Sequence, residues 1–306
     1  MASSWFTRTV LDRVTAGLAY VLYHGVRLMP VDFASALGGA IGRVLGPMLP
    51  MHKIAKANIA AAFPEKSEAE RARIVKGMWD NIGRTFFEYP HQTGLIESGR
   101  VEMGDLGAVD ALRDDGRPGL LWSGHLGNWE LVSGGAGARG LVMHRIYRAP
   151  NNRRVDWLFK ANRDLVKGEL LPKGAVGAKR AMVFMRRGEH LGMMVDQKMN
   201  DGIAVPFFGR PAMTASALAT FALRFDAPVV GARAIRLKGA RFRLDVTDPY
   251  TIENTGDRFA DELAAMTKVN QILEGWIREY PEQWLWVHRR WPKAGDVLGD
   301  APTTQS

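Results

Sequence analysis

The chain has 306 residues, and its 41 Lys and Arg residues outnumber 32 Asp and Glu residues, which gives a formal net charge of +9. Hydrophobic residues make up 46% of the chain, enough for the core of one large domain or two modest ones. The absence of cysteine excludes disulfides, thiolate nucleophiles and cysteine-ligated zinc. The positive charge favours an anionic partner, such as a nucleic acid, an anionic membrane surface or a phosphorylated substrate.

Two apolar segments precede residue 50. The first, Val14–Val26, lies between Arg13 and Arg27 and is shorter than the roughly 20 residues that a membrane-spanning helix needs. The second, Phe33–Pro50, is rich in glycine. We predict that residues 1–50 form membrane-associating helices. Two buried core helices are the alternative, and the pattern does not separate the two.

The remaining chain alternates between strand and helix patterns. Ser67 and Glu70 form a capping-box pattern that opens a helix over residues 67–89. The predicted strands are 119–123, 140–147, 190–195, 228–235 and 241–246. The later predicted helices are 128–137, 152–167, 175–187, 213–226 and 258–280. This alternation predicts an α/β domain over residues 51–292, with a mixed, largely parallel sheet flanked by helices, and a disordered tail over 293–306.

The stretch SGHLGNWE places His125 and Glu130 five residues apart. The two side chains converge if His125 ends a strand and Glu130 lies in the first turn of the next helix. Gly124 and Gly127 would then supply the bend, and Asn128 would cap the helix. An ionised carboxylate at that position could hold one imidazole nitrogen and leave the other basic. A structural histidine is the alternative that this spacing alone favours.

GHLGNWE and the segments after it resemble the lipid A biosynthesis lauroyl/myristoyl acyltransferases, bacterial secondary acyltransferases of the lysophospholipid acyltransferase-like superfamily. That wider group carries His, four residues, then Asp or Glu. The further matching segments are YRAPNN (147–152), NRDLVKGELLPKG (162–174), VDQKMNDGIAVPFFGRPAMTA (195–215) and PEQWLWVHRRW (281–291). They follow the expected order and cover nearly all of residues 50–292. The departures are small: Ala149 stands where a proline often follows the arginine, and Trp291 ends the last motif.

The resemblance implies acyl transfer from acyl carrier protein to a hydroxyl of a phosphorylated lipid A precursor. It implies no cofactor and a location on the cytoplasmic face of the bacterial inner membrane. His125 would act as general base with Glu130 orienting it, although which of the two is the formal base stays open. Arg163 would stabilise the thioester oxyanion, and Asp196 would position Arg163 or a sugar hydroxyl. The substrate-binding residues would be Arg148, Asn152, Gln197, Phe208, Gly209 and Thr214.

Each of these assignments has a plainer alternative. Asp196 could be a strand-end cap, Phe208 could belong to the core, and Thr214 could cap the following helix. The basic residues suit the phosphates of the acceptor and the acidic carrier protein. We expect no nucleic-acid partner, since no recognised nucleic-acid motif occurs. Acylation of another glycolipid or lysophospholipid is the alternative activity, and a non-catalytic membrane-peripheral lipid-binding protein is the alternative class.

Overall fold

In the computed structural model, which describes residues 2–147, 150, 152–160 and 166–291, strands and helices alternate along the chain. The strands are β1 (Val101–Met103), β2 (Leu120–Ser123), β3 (Met143–Tyr147), β4 (Leu170–Pro172), β5 (His190–Met194), β6 (Lys198–Phe207), β7 (Arg210–Thr214), β8 (Val229–Arg236) and β9 (Phe242–Val246). The helices are α1 (Ala2–Arg27), α2 (Val31–Leu45), α3 (Met51–Ala62), α4 (Glu68–Glu88), α5 (Gln92–Glu97), α6 (Gly107–Asp114), α7 (Glu130–Ala138), α8 (Asp156–Lys160), α9 (Ala175–Arg186), α10 (Ala217–Phe225) and α11 (Arg258–Glu279).

Seven strands form one sheet in the order β1-β9-β8-β2-β5-β3-β4. All neighbours are parallel except β8 and β9, so the predicted mixed, largely parallel sheet is confirmed. Strand β2 lies between β8 and β5, and its register with β5 runs from Leu120–Leu191 to Ser123–Met194. The carboxyl ends of β2 and β5 therefore meet at one edge of the sheet, where parallel α/β sheets usually bind ligands.

Helices cover both faces of the sheet, and each face has its own apolar core. One core joins residues of α3, α4, α9, α10 and α11 to the tryptophans of the segment 281–291. The other joins α5, α6 and α7 to the opposite face. Every residue of β2 is buried, as expected for a parallel strand covered on both sides. This rigid centre holds the loops that follow β2 and β5.

The helix predicted over 67–89 is confirmed as α4, with the capping box of Ser67 and Glu70 formed. The helix predicted over 152–167 is wrong in extent. The structure has a 3-10 turn and the short α8, and Lys167 already accepts a hydrogen bond from Met143 of β3. The helix predicted over 213–226 begins only at Ala217, because Arg210–Thr214 pairs with β6 as a strand. The predicted tail 293–306 lies outside the described residues.

Helices α1 and α2 differ in how they are attached to the remaining structure. Gly38 and Gly83 let α2 and α4 approach at backbone distance, because a side chain at either position would strike the opposite backbone. Ser35 of α2 donates a 2.6 Å hydrogen bond to the buried Glu88 of α4. Helix α1 instead contacts the loop after β3, where Asn152 donates to the Asp12 carbonyl at 2.8 Å. The boundary at residue 50 stays a prediction.

Among the described residues, no helix combines the length and the apolar character that crossing a membrane requires.

Candidate active site

His125 and Asp196 meet at the carboxyl edge of the sheet, directly after β2 and β5. The Nδ1 atom of His125 lies 2.7 Å from Oδ1 of Asp196, and the backbone N–H of His125 donates to Oδ2 at 2.7 Å. Since an ionised carboxylate only accepts hydrogen bonds, Nδ1 of the neutral imidazole carries the proton. The Nε2 atom is left unprotonated and basic, which is the arrangement of a general base.

The Asp196 carboxylate is buried and held by a third donor. The indole Nε1 of Trp284 donates to Oδ2 at 2.8 Å, so that oxygen accepts two hydrogen bonds. Burial alone would raise the pKa of Asp196, but the charge of His125 and these hydrogen bonds outweigh it and hold the pKa well below its ordinary value. Burial alone would lower the pKa of His125, but Asp196 outweighs it and raises that pKa above 6.5. The Asp196 carboxylate therefore stabilises the imidazolium that forms when His125 takes up a proton.

The role predicted for Glu130 as the carboxylate that orients the imidazole is wrong: Asp196 makes that contact. Glu130 lies in the first turn of α7, as predicted, and accepts a 3.2 Å hydrogen bond from the Trp129 indole. Desolvation raises the pKa of Glu130, although Arg145 and His125 act on the carboxyl in the opposite sense. Burial therefore outweighs these opposing charges and the hydrogen bond from Trp129 at this carboxyl.

The loop between His125 and Glu130 rests on a buried polar network. Gly127 has a φ of +58°, and a side chain there would collide with the Ala234 carbonyl, so the close approach requires glycine. The Asn128 side chain is fully buried and donates to Glu88 at 2.9 Å, so the predicted helix-capping role of Asn128 is wrong. Glu88 in turn forms a buried ion pair with Arg236 of β8.

Two further side chains, Gln197 and His288, lie next to His125 at the edge of the site. The amide nitrogen of Gln197 lies 3.4 Å from Nε2 of His125 and 3.2 Å from Nε2 of His288. The rings of His125 and His288 are 5.8 Å apart. Neither His288 nor Trp284 was singled out from the sequence, because only the fold brings the segment 281–291 against the loop after β2. The available signal was the position of both residues inside PEQWLWVHRRW.

The other predicted substrate-binding residues lie in different surroundings. Phe208 and Gly209, with φ values of 50° and 68°, form the two-residue turn between β6 and β7. The Phe208 ring is buried among Phe63, Trp286 and Trp291. A substrate contact for Phe208 and Gly209 stays a prediction.

Thr214 is fully buried and accepts a 2.8 Å hydrogen bond from Arg290, so it does not cap the following helix, whose first turn is preceded by Ser216. Asn152 faces α1 through the Asp12 carbonyl and the Thr15 hydroxyl. Substrate contacts for Thr214 and Asn152 stay predictions. Arg148 and Arg163 lie outside the described residues.

A histidine oriented by a buried carboxylate, at the carboxyl edge of a mixed α/β sheet and followed five residues later by Glu130, fits an acyltransferase site. The sequence agrees with this class: it matches the profile of the bacterial lipid A biosynthesis acyltransferases over residues 6–293. The chain therefore belongs to the bacterial lipid A biosynthesis acyltransferase family.

Individual relatives agree with this assignment. The lipid A biosynthesis palmitoleoyltransferase and the lipid A biosynthesis lauroyltransferase of Escherichia coli K12 are each 27% identical, with 88% of each chain covered. A lipid A biosynthesis acyltransferase of Haemophilus influenzae is 22% identical, over 91% of this chain and 90% of its own.

Proposed function

We propose that the protein transfers a fatty acyl group from the thioester of acyl carrier protein to a hydroxyl of a phosphorylated lipid A precursor. The observation that carries this proposal is the His125–Asp196 pair, in which the carboxylate holds Nδ1 and Nε2 is left as the basic nitrogen. Membership of the lipid A acyltransferase family supports the lipid A precursor as the acceptor.

The pair fits this chemistry because a hydroxyl acceptor has a pKa far above 7 and needs a positioned base. His125 Nε2 takes the hydroxyl proton as the oxygen attacks the thioester carbonyl, a contribution of roughly 10²- to 10⁴-fold in rate. Asp196 stabilises the imidazolium that forms. When the carbon–sulfur bond breaks, the imidazolium returns the proton to the leaving sulfur. No covalent enzyme intermediate and no cofactor are needed.

Two further residues complete the proposed chemistry. Glu130, whose pKa is raised by desolvation and which interacts with the charge of His125, helps set the protonation of the site. Arg163 stabilises the thioester oxyanion. If Arg163 meets charge only in the transition state, Arg163→Ala lowers kcat more than it raises KM. A rise in KM alone would make Arg163 a phosphate-binding residue.

An apolar surface supports the second part of the proposal, which is that the enzyme docks on the cytoplasmic face of the bacterial inner membrane. Large apolar side chains of α1 recur on one helix face and are exposed: Val10, Leu11, Val14, Leu18, Val21 and Leu22. Exposed apolar residues continue along and after α2: Phe33, Ile41, Val44, Leu45, Met48 and Leu49. Exposed apolar surface of this extent is typical of membrane or partner contact. Arg13 and Arg27, both exposed, suit anionic headgroups.

Mass spectrometry of lipid A from cells with and without this protein tests the proposal. We expect one secondary acyl chain to be missing without the protein, and its mass identifies the acyl group. Purified protein with labelled acyl carrier protein and the isolated precursor should restore the chain, while His125→Ala should not. Unchanged lipid A combined with transfer to lysophospholipid would instead support the alternative acceptor. No turnover with any lipid acceptor would support a non-catalytic lipid-binding protein.

A further inference from the structure

Gln197 occupies a defined position between two imidazole rings. Its amide nitrogen is 3.4 Å from Nε2 of His125 and 3.2 Å from Nε2 of His288. A side-chain amide nitrogen carries two N–H groups, so one nitrogen can donate to both rings. The arrangement requires that both Nε2 atoms act as acceptors.

Both histidines are placed to meet that requirement. The Nδ1 proton of His125 is committed to Asp196, which leaves Nε2 as the acceptor. Desolvation and the neighbouring charge of His125 lower the pKa of His288, while Asp196 acts in the opposite sense. The lowered pKa favours the neutral imidazole of His288, and its Nε2, 3.2 Å from the amide nitrogen, is placed to accept the second N–H of Gln197. The described groups that act on His125 itself are Asp196 and Glu130.

The contact to His125 is the weaker of the two. At 3.4 Å it is beyond the usual hydrogen-bond length of about 3 Å, whereas an acceptor hydroxyl would bind Nε2 at roughly 2.8 Å. An incoming hydroxyl therefore replaces the amide at His125. The amide, still held by His288, then lies beside the attacking oxygen and close to the carbonyl that this oxygen attacks.

We propose that the Gln197 amide donates a hydrogen bond to the thioester oxygen as negative charge develops there, and that His288 is the positioning residue that holds this donor. The inference rests on the acyl transfer proposed above. As the new oxygen–carbon bond forms, the carbonyl electron pair moves onto that oxygen, next to the Gln197 N–H. When the carbonyl re-forms, the thiolate leaves with the carbon–sulfur electron pair, and His125 returns the proton to the sulfur.

The main chain at His288 is held independently of its ring, which makes the side chain suitable for substitution. Asn58 donates to the carbonyl of Trp286 at 2.7 Å and to that of His288 at 2.5 Å. The Trp286 indole donates to the Pro281 carbonyl at 2.7 Å. Removing the imidazole leaves these contacts in place, so the segment should keep its position.

A double-mutant cycle tests the positioning role. We expect Gln197→Ala to lower kcat by about 10²-fold, the effect of losing one oxyanion donor. His288→Ala should lower kcat by about tenfold with little change in KM, and the double variant should be no worse than Gln197→Ala alone. His288→Gln should recover most of the activity, since its amide oxygen offers an acceptor near the Nε2 position.

An NMR titration of His125 gives a readout that needs no substrate. The hydrogen bond from the Gln197 N–H stabilises the neutral imidazole of His125. Gln197→Ala removes this hydrogen bond and His288→Ala weakens it, so both variants should raise the pKa of His125. If His288 served only packing, the pKa of His125 would not change in His288→Ala, and His288→Gln would be as impaired as His288→Ala. The losses of kcat in the double-mutant cycle would then be additive. Each of these results would overturn the proposal. Wild-type protein that transfers no acyl group would overturn the proposed function instead.

Discussion

The carboxyl edge of the sheet and the N-terminal helix α1 are built in opposite ways. At the edge, His125 and Asp196 are held by buried donors, and the loop between His125 and Glu130 lies on the buried pair of Glu88 and Arg236. Within residues 10–27 of helix α1, whose side chains the structure describes, only Tyr23 and Val26 are buried, and a continuous apolar face is exposed.

This contrast fits the two tasks proposed above, acyl transfer at the edge of the sheet and lipid contact by α1. Chemistry requires atoms fixed to a fraction of an ångström, which buried and hydrogen-bonded polar groups provide. Lipid contact requires apolar area that stays uncovered until a bilayer covers it. Changes at the edge should therefore alter the rate at unchanged membrane binding, and changes on α1 should do the reverse.

The largest expected effect is that of Asp196→Asn. The amide oxygen can replace Oδ2 and accept from Trp284 and the His125 backbone, which leaves the NH2 group facing Nδ1. That donor holds the imidazole in the wrong tautomer, and we expect kcat to fall by about 10³- to 10⁴-fold. Transfer assays with acyl carrier protein and a thermal melt measure the effect and check folding.

His125→Ala is the matched variant and should lose transfer to a similar extent. A folded Asp196→Asn protein that kept a tenth of wild-type activity would show that Asp196 does not orient the base.

The second prediction concerns the buried ion pair of Glu88 and Arg236, which lies beneath the loop between His125 and Glu130. Glu88→Ala leaves the buried Arg236 guanidinium without its carboxylate, which should cost about 3–5 kcal/mol in the free energy of unfolding. Arg117→Ala is the control, since its ion pair with Asp226 is exposed and should contribute about 0–1 kcal/mol. Denaturant titration compares the two, and equal losses would mean that the buried pair is not a principal support.

The third prediction concerns α1. Replacing Leu18, Val21 and Leu22 by serine removes three exposed apolar side chains from one helix face. If each contributes about 1 kcal/mol on a bilayer, vesicle binding should weaken by about 10²-fold, with kcat on a soluble acceptor analogue unchanged. Sedimentation with anionic vesicles measures the binding.

Val176→Ser is the control for α1, because Val176 is equally exposed but lies on α9. If the triple variant lost both vesicle binding and transfer to the soluble acceptor analogue, α1 would belong to the folded core. That is the alternative that the sequence left open. Deleting residues 1–50 is a poorer test, because it also removes Ser35 and its buried contact with Glu88.

The smallest expected effect is a shift in pH dependence. His125 acts as a base only when neutral, so kcat/KM should fall as the pH drops through its raised pKa, above 6.5. Glu130 contributes to that elevation, so Glu130→Gln should lower the pKa of His125 and move the acid limb of the profile to lower pH. Glu65→Gln is the control, because Glu65 is exposed, and it should leave the acid limb of the pH profile unchanged. A shift to higher pH for Glu130→Gln would contradict this account.

Much of the fold could be predicted because its main strands are short, largely apolar runs and some of its helices begin with recognisable signals. The capping box at Ser67 is the clearest case. Strands β1 and β4 were not predicted, since three residues are too few to show a period. The hairpin of β6 and β7 was missed because its turn places Phe208 at positive φ, where turn signals would call for asparagine or glycine.

At the site, the sequence could name His125 and Asp196 but could not pair them. The partner chosen for His125 was the nearest carboxylate along the chain, Glu130. The actual partner lies 71 residues away and arrives there because β5 is the neighbour of β2 in the sheet. Strand order depends on long-range packing, which a local pattern does not contain. His288 was missed for the same reason.

The hydrogen bond from Trp284 to Asp196 also has a consequence for the synthesis of the protein on the ribosome. The two residues are 88 positions apart, so at roughly 5–20 residues per second a ribosome needs about 4–18 s to add the donor after the carboxylate. During that interval the nascent protein can contain β2, β5 and the His125–Asp196 contact without the indole that completes it. The hydrogen-bond set of the Asp196 carboxylate is therefore complete only after the segment 281–291, the last that the structure describes, has been made.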